Sequence, residues 1–343
     1  MSDIDIRREG RAGRITLTRP EALNALSYAM CLRAEAALDA WRDDPEVALV
    51  LIDATGDKAF CAGGDIAEIY RSGIAGDYDT GRRFWRDEYR MNAGIADYPK
   101  PVVSFLHGFV MGGGVGLGGH CGHRIVGESA QIAMPECGIG FVPDVGGSAL
   151  LARAPGRLGE YLGLTAARMG PGDALHAGFA DLFVPQAAWP ALKARLAETG
   201  TLSALEEAAE TPPASPLAAA QAQIDTLFGK ATLAAIVAGL EGATGDLAGQ
   251  ARKALARNSP LAMAVTLEML TRLRAGDGDI RSALRQEYRV SHRVAEQGDF
   301  LEGIRAQIID KDRSPVWRYR LEEVTPERVA AMLAPLGEDE LAL

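Results

Sequence analysis

Short runs rich in Val, Ile and Leu punctuate the first half of the chain: ITLT at 15–18, VALVLIDA at 47–54, VVSFL at 102–106 and RIVG at 124–127. Their length and β-branched content read as strands. Between the first two lies SYAMCLRAEAALDAW at 27–41, whose apolar positions recur every three and four residues, as on one helix face. The alternation is the βαβ rhythm of an α/β fold with a mixed, largely parallel sheet reaching to about residue 185. Beyond it the texture changes. Residues 186–310 carry helical periodicity almost throughout, broken at TPPASP (211–216) and AGDGD (275–279). From about Arg318 the chain is charged and is expected to be peripheral, with one more short helix in PERVAAMLAPL. The expected organisation is a core over 1–185 followed by a helical C-terminal region over 186–343.

Totals narrow the functional classes. The chain has 343 residues, 48% of them apolar and 24% charged, which allows a large buried core. A formal net charge of −10 argues against nucleic acid or an anionic membrane surface as a partner. No uncharged apolar run reaches the roughly 18 residues of a membrane span. The opening MSDIDIRREGR lacks the apolar stretch of a signal peptide and is too acidic for a typical transit peptide, so a cytoplasmic location is expected. Cys31, Cys61, Cys121 and Cys137 show no CxxC spacing, which suits reduced thiols better than a disulfide frame or zinc site.

Three glycine-rich stretches follow apolar segments: KAFCAGGDI (58–66), HGFVMGGGVGLGG (107–119) and MPECGIGFVPDVGG (134–147). Glycine belongs where backbone must approach a ligand closely or take positive φ, so three such stretches suggest a site lined by main-chain N–H groups. Gly114, Gly116 and Gly119 also spell GxGxxG, but the helix after them has room for only about two turns and no βαβ unit of roughly 30 residues surrounds them. A glycine triplet that opens a helix directs unpaired N–H groups at one spot, and Gly64 and Gly113 are the two candidate donors to a developing oxyanion. No GxSxG elbow is present. His120, Cys121 and His123 match no standard metal spacing, so no metal is expected. Cys61 reads as a space-filling residue and His107 as a packed or capping one.

The third stretch also holds Glu136 and Asp144, eight positions apart in apolar surroundings with no Lys or Arg between them. Buried carboxylates need partners or a chemical purpose. Taken alone, Asp144 reads as well as a cap for a helix beginning near Val145 as it does as a catalytic group. Glu88, in FWRDEYRMN, taken alone reads as a solvated helix acid paired with Arg86 or Arg90.

These stretches, with RPEALNAL at 19–26 and LTAARMGPGDALHAGFADLFVP at 164–185, together resemble the enoyl-CoA hydratase/isomerase (crotonase) superfamily. Within it the 3-hydroxyisobutyryl-CoA hydrolase family is most similar, through the Glu136/Asp144 spacing with PDVGG, the RDEY around Glu88, and DFLEGIRAQIIDKDRSPVW at 299–317. The resemblance spans nearly the whole chain. It implies a crotonase-like ββα superhelix core, an acyl-CoA substrate with no separate cofactor, and substrate contacts at Glu88, Gly113, Glu136 and Asp144. The superfamily's trimers suggest a homo-oligomer, while the longer helical extension here leaves the oligomeric state open.

One departure bears on the reaction. Hydratases of the superfamily carry a glutamate two residues after the glycine triplet and another 20 positions later, whereas here those positions are Gly116 and Glu136. Alkene hydration needs water activated and Cα protonated together. Thioester hydrolysis needs no strong acid for its thiolate leaving group. The resemblance therefore implies hydrolysis of a short hydroxyacyl-CoA, with Glu136 as nucleophile or base and Asp144 as its orienter. Hydratase/isomerase activity and a noncatalytic acyl-CoA-binding role are the alternatives.

Overall fold

The computed structural model describes residues 3–343. Contacts gather into two compact units, each drawn from three stretches of chain. The first comprises residues up to 65, 90–133 and 168–218; the second comprises 66–89, 134–167 and 219–343. This division differs from the change in sequence texture at residue 185, because stretches distant in sequence pack together within each unit.

Among the described residues the first unit holds nine strands: β1 (Ile4–Glu9), β2 (Ala12–Leu17), β3 (Leu49–Ala54), β4 (Ala59–Cys61), β5 (Val102–Leu106), β6 (Phe109–Met111), β7 (His123–Val126), β8 (Gln131–Ala133) and β9 (Leu182–Phe183). A six-stranded sheet runs β1-β2-β3-β5-β7-β9, and a three-stranded sheet runs β4-β6-β8. Only β1 pairs antiparallel. From β3 onward successive strands alternate between the two sheets, the winding of a ββα superhelix. The VVSFL segment is a strand over its whole length, while ITLT is the end of a strand that begins at Ala12. The strands of the small sheet are three residues each, too short to show a period, and are fully parallel. Their parallel pairing brings the ends of β4, β6 and β8 to one edge, and each glycine-rich stretch continues from such an end.

Helix α1 (Tyr28–Arg42) starts where the apolar spacing predicts, with the Ser27 side chain accepting from Met30 N. On one face of the large sheet Leu49, Leu51, Val103, Phe105 and Ile125 pack with the Trp189–Thr199 helix. Asp53, buried on β3, is held by Arg14 at 2.6 Å, Lys193 at 2.8 Å and Thr16 at 2.7 Å, which keep its carboxyl below the usual range despite burial.

The second unit contains α2 (Ala67–Ile74), the first part of α3 (Asp79–Ala96), α5 (Gly147–Arg153), α6 (Leu158–Thr165) and the later C-terminal helices; α4 (Gly113–Gly118) belongs to the first unit. The second unit also contains a 3-10 turn at Glu136–Ile139. DFLEGIR supplies the packing against this turn. A Cβ at Gly303 would stand 2.1 Å from the Ile139 carbonyl oxygen, and one at Gly140, at φ +72°, would stand 2.5 Å from the Asp299 oxygen. Asp299 in turn accepts from Ser259 Oγ at 2.6 Å and Arg318 N at 2.8 Å, and Ser259 N donates to Cys137 O at 3.0 Å. The end of the chain is fastened too, since Met332, Leu333 and Leu341 are buried.

Because both sides of the Gly303 contact are backbone, neither can yield. We expect Gly303→Ala to destabilise the protein by about 1–3 kcal/mol or more, outweighing the roughly 1 kcal/mol helix preference of Ala over Gly. Urea unfolding of wild type and variant measures the difference.

Candidate active site

The amide donors lie in the first unit. Asn24, fully buried within RPEALNAL, donates to the Thr55 and Ala59 carbonyls, each at 2.9 Å, and accepts from Arg19 N at 2.8 Å. It thereby ties this motif to the loop leading into β4. Past β4, Leu26 N donates to Gly63 O and Asp65 N donates to Leu26 O, both at 2.9 Å. In a parallel bridge of this kind the residue between the two, Gly64, points its own N–H to the opposite side. Gly113 opens α4 behind Gly112, which sits at φ +48°. As a first-turn residue its N–H has no intrahelical acceptor. Gly114 must be glycine because a Cβ would meet the Cys61 carbonyl oxygen at 2.2 Å. The GxGxxG stretch therefore serves close packing of a six-residue helix, without the long helix of a dinucleotide unit.

The carboxylates gather in the second unit. Glu88 and Tyr89 lie on α3, Glu136 on the 3-10 turn, Asp144 just before α5, and Glu287 on the Ile280–Gln297 helix. Glu88, Glu136, Asp144 and Glu287 are all buried, at 5% exposure or less. Tyr89 O–H donates to Asp144 Oδ2 at 2.8 Å. Trp85, Phe141 and Phe300 pack as a ring cluster with centroids 5.0–5.5 Å apart, and Tyr288 meets Tyr89 edge-on at 6.2 Å. Glu88 Oε1 and Glu136 Oε2 are buried without a hydrogen-bond partner.

Among the described residues no Lys, Arg or His forms an ion pair with any of these four acids, in contrast to Asp53. Burial, and then the neighbouring Asp144, push Glu88 and Glu136 well above the ordinary carboxyl range. Burial raises Asp144 to about 7, against the opposing pull of the Tyr89 hydroxyl and a backbone N–H. It raises Glu287 to about 8, against donors from Ser148 and Gly146. Groups poised this way can exchange protons near neutrality, which an isolated surface carboxylate cannot.

Two local readings are corrected. Glu88 is not a solvated, paired helix acid: Arg86 lies against Asp87 at 3.4 Å and Arg90 is bidentate to Glu35 at 2.7 Å, leaving Glu88 to the interior. Asp144 does not cap the following helix. That helix begins at Gly147, and Glu287 is the carboxylate that takes its leading amides, while the Asp144 side chain turns to Tyr89. Among the described residues no group of three or more His, Cys, Asp or Glu side chains has the geometry to hold a metal ion. His107 instead bonds Gly56 O at 2.8 Å, and Cys121 is buried with its thiol pushed up to about 12. Sequence reasoning missed Tyr89, Ser148 and Glu287. Tyr89 stands in the recognised RDEY; Glu287 had no local signal.

The enoyl-CoA hydratase/isomerase model matches residues 12–333. The chain belongs to the enoyl-CoA hydratase/isomerase family. A relative from Gallus gallus named 3-hydroxyisobutyryl-CoA hydrolase, mitochondrial, is 36% identical over all of this chain and 91% of its own length. An Arabidopsis thaliana relative named probable 3-hydroxyisobutyryl-CoA hydrolase 3 is also 36% identical, over 95% of this chain and 90% of its own. A solved structure of an enoyl-CoA hydratase from Rhodobacter sphaeroides matches at 58% identity and a TM-score of 0.95, covering 100% of both chains. One of a carnitinyl-CoA dehydratase from Mycobacterium thermoresistibile matches at 43% identity and 0.95, covering 100% of this chain and 99% of that one. The fold of this family member is thus the crotonase fold.

The raised carboxyls fix the sign of a pH effect. Asp144 binds its proton in the native state up to about pH 7, whereas the unfolded group releases it near 3.8. The stability this contributes is complete below the unfolded value and is lost as pH rises through the native one. Asp144→Asn, which keeps an acceptor for Tyr89, is expected to raise the unfolding temperature more at about pH 8.5 than at about pH 5.5. Thermal melts at the two pH values measure this.

Proposed function

We propose that this enzyme hydrolyses 3-hydroxyisobutyryl-CoA to 3-hydroxyisobutyrate and free CoA, a step of valine catabolism. The observation that carries the reading is Glu136: a buried carboxyl with one oxygen unpartnered and its proton affinity raised, in a family member similar to proteins named 3-hydroxyisobutyryl-CoA hydrolase. In this scheme Gly64 and Gly113 N–H donate to the thioester oxygen as negative charge develops there. Glu136 attacks the carbonyl carbon to give an acyl-enzyme anhydride, or takes a proton from the water that does. The C–S bond breaks, CoA leaves as thiolate and is protonated, and water supplies the acid's new oxygen. Asp144, aimed by Tyr89, orients Glu136, the water or the acyl group's hydroxyl, and Glu88 contacts the distal hydroxyl. Acyl-CoA enters as the substrate, so no separate cofactor is required.

Hydration of an enoyl-CoA is the second reading, favoured by the name of the Rhodobacter sphaeroides structure. Gly116 weighs against it, because a buried glycine in α4 stands where the scheme for hydration needs its second acid.

One assay separates the readings. Purified protein is given 3-hydroxyisobutyryl-CoA and crotonyl-CoA, with free thiol and enoyl absorbance followed separately. Thiol release is expected from the first, and Glu136→Gln is expected to lower kcat by about 10³-fold. Loss of enoyl absorbance without thiol release would overturn hydrolysis, and binding with neither change would favour a noncatalytic role.

A further inference from the structure

We infer that Glu287 is a positioning residue for Asp144, its carboxylate holding the left-handed corner from which Asp144 projects. This rests on the reading of Asp144 as part of the hydrolytic site. Val145 and Gly146, directly after Asp144, take φ of +53° and +79°. Glycine accepts that conformation; a β-branched residue is strained in it. The corner persists because something grips it. Glu287 Oε2 accepts from Gly146 N at 2.7 Å, and Oε1 accepts from Ser148 N at 3.1 Å and from the Ser148 hydroxyl. Gly147 N closes the turn on the Asp144 carbonyl at 2.7 Å. Successive N–H groups in such a corner form an anion-binding concavity, and here the anion is an internal side chain.

With both oxygens engaged by those donors and no exposure, Glu287 has no face left for substrate or solvent, and its charge, where it is ionised above about pH 8, falls on its neighbours. The titratable groups that interact with it are acids and a phenol: Asp144 before α5, Glu136 on the 3-10 turn and Tyr89 on α3. Glu287 therefore sets the direction of Asp144 without touching substrate, and in its ionised form it adds to the forces that raise Glu136.

The test compares wild type, Glu287→Gln and Ser148→Ala. kcat and KM for 3-hydroxyisobutyryl-CoA are measured across pH, and the carboxyl C=O stretch is titrated by infrared spectroscopy on ligand-free protein. Glu287→Gln presents an NH₂ to one amide donor and removes the charge. Its kcat is expected to fall by about 30-fold, with KM changed less than about twofold. The acid limb and the infrared titration should both move down. A purely structural role would leave the limb in place, and unchanged kcat or an unmoved limb overturns the proposal. If Glu287→Gln does not fold, Ser148→Ala decides. It keeps the charge and both amides but loses the hydroxyl donor, so one infrared titration should move upward while kcat falls by about 3- to 10-fold. Neither change occurring overturns the proposal. Should wild type hydrolyse nothing, the substrate-free titration still rules on the coupling: a shift upholds Glu287's hold on the pair and leaves only the hydrolase reading refuted.

Discussion

Four carboxyls without a cation form the constraint around which the second unit is arranged. Placing Glu88, Glu136, Asp144 and Glu287 in the interior costs desolvation energy, and among the described residues no Lys, Arg or His forms an ion pair that offsets it. Hydrogen-bond donors compensate two of them: Tyr89 for Asp144, and the Gly146–Ser148 corner for Glu287. The other two keep an oxygen apiece unpartnered. Such a cluster holds protons near neutrality, the property an acid–base site needs. Asp53 shows the ordinary alternative within the same chain, a buried acid neutralised by Arg14 and Lys193.

Glycine makes the rest of the arrangement possible by removing Cβ atoms where backbones meet. Gly114 lets α4 sit on the Cys61 carbonyl, and Gly303 lets the C-terminal helices sit on the turn that carries Glu136. In each case the glycine is a condition for packing, and the free amide or the acid comes from its neighbour. This is why a local reading of the glycines left turn-making and oxyanion binding both open. Asn24 plays a comparable part for the first loop, through two carbonyls that lie far along the chain from it.

Much of the fold was legible because apolar periodicity survives in long elements. VVSFL and α1 are found where their spacing placed them. The three-residue strands of the small sheet carry no period, and their parallel alignment depends on partners about 20 and 50 residues distant. Glu136 and Asp144 were visible because charges interrupt apolar sequence. Glu88 was misleading locally, since flanking arginines suggest pairing that the helix directs elsewhere.

The sequence by itself determined the family, the alternating strands and helices, and which acids stand in apolar surroundings, because composition and spacing are properties of the chain. Tertiary structure decided how those acids are held. Glu287 lies 143 positions from Asp144 and in an amphipathic helix reads like any other acid. Only folding brings its carboxylate to the Gly146 and Ser148 amides, because hydrogen bonds reach about 3 Å in space whatever the separation along the chain.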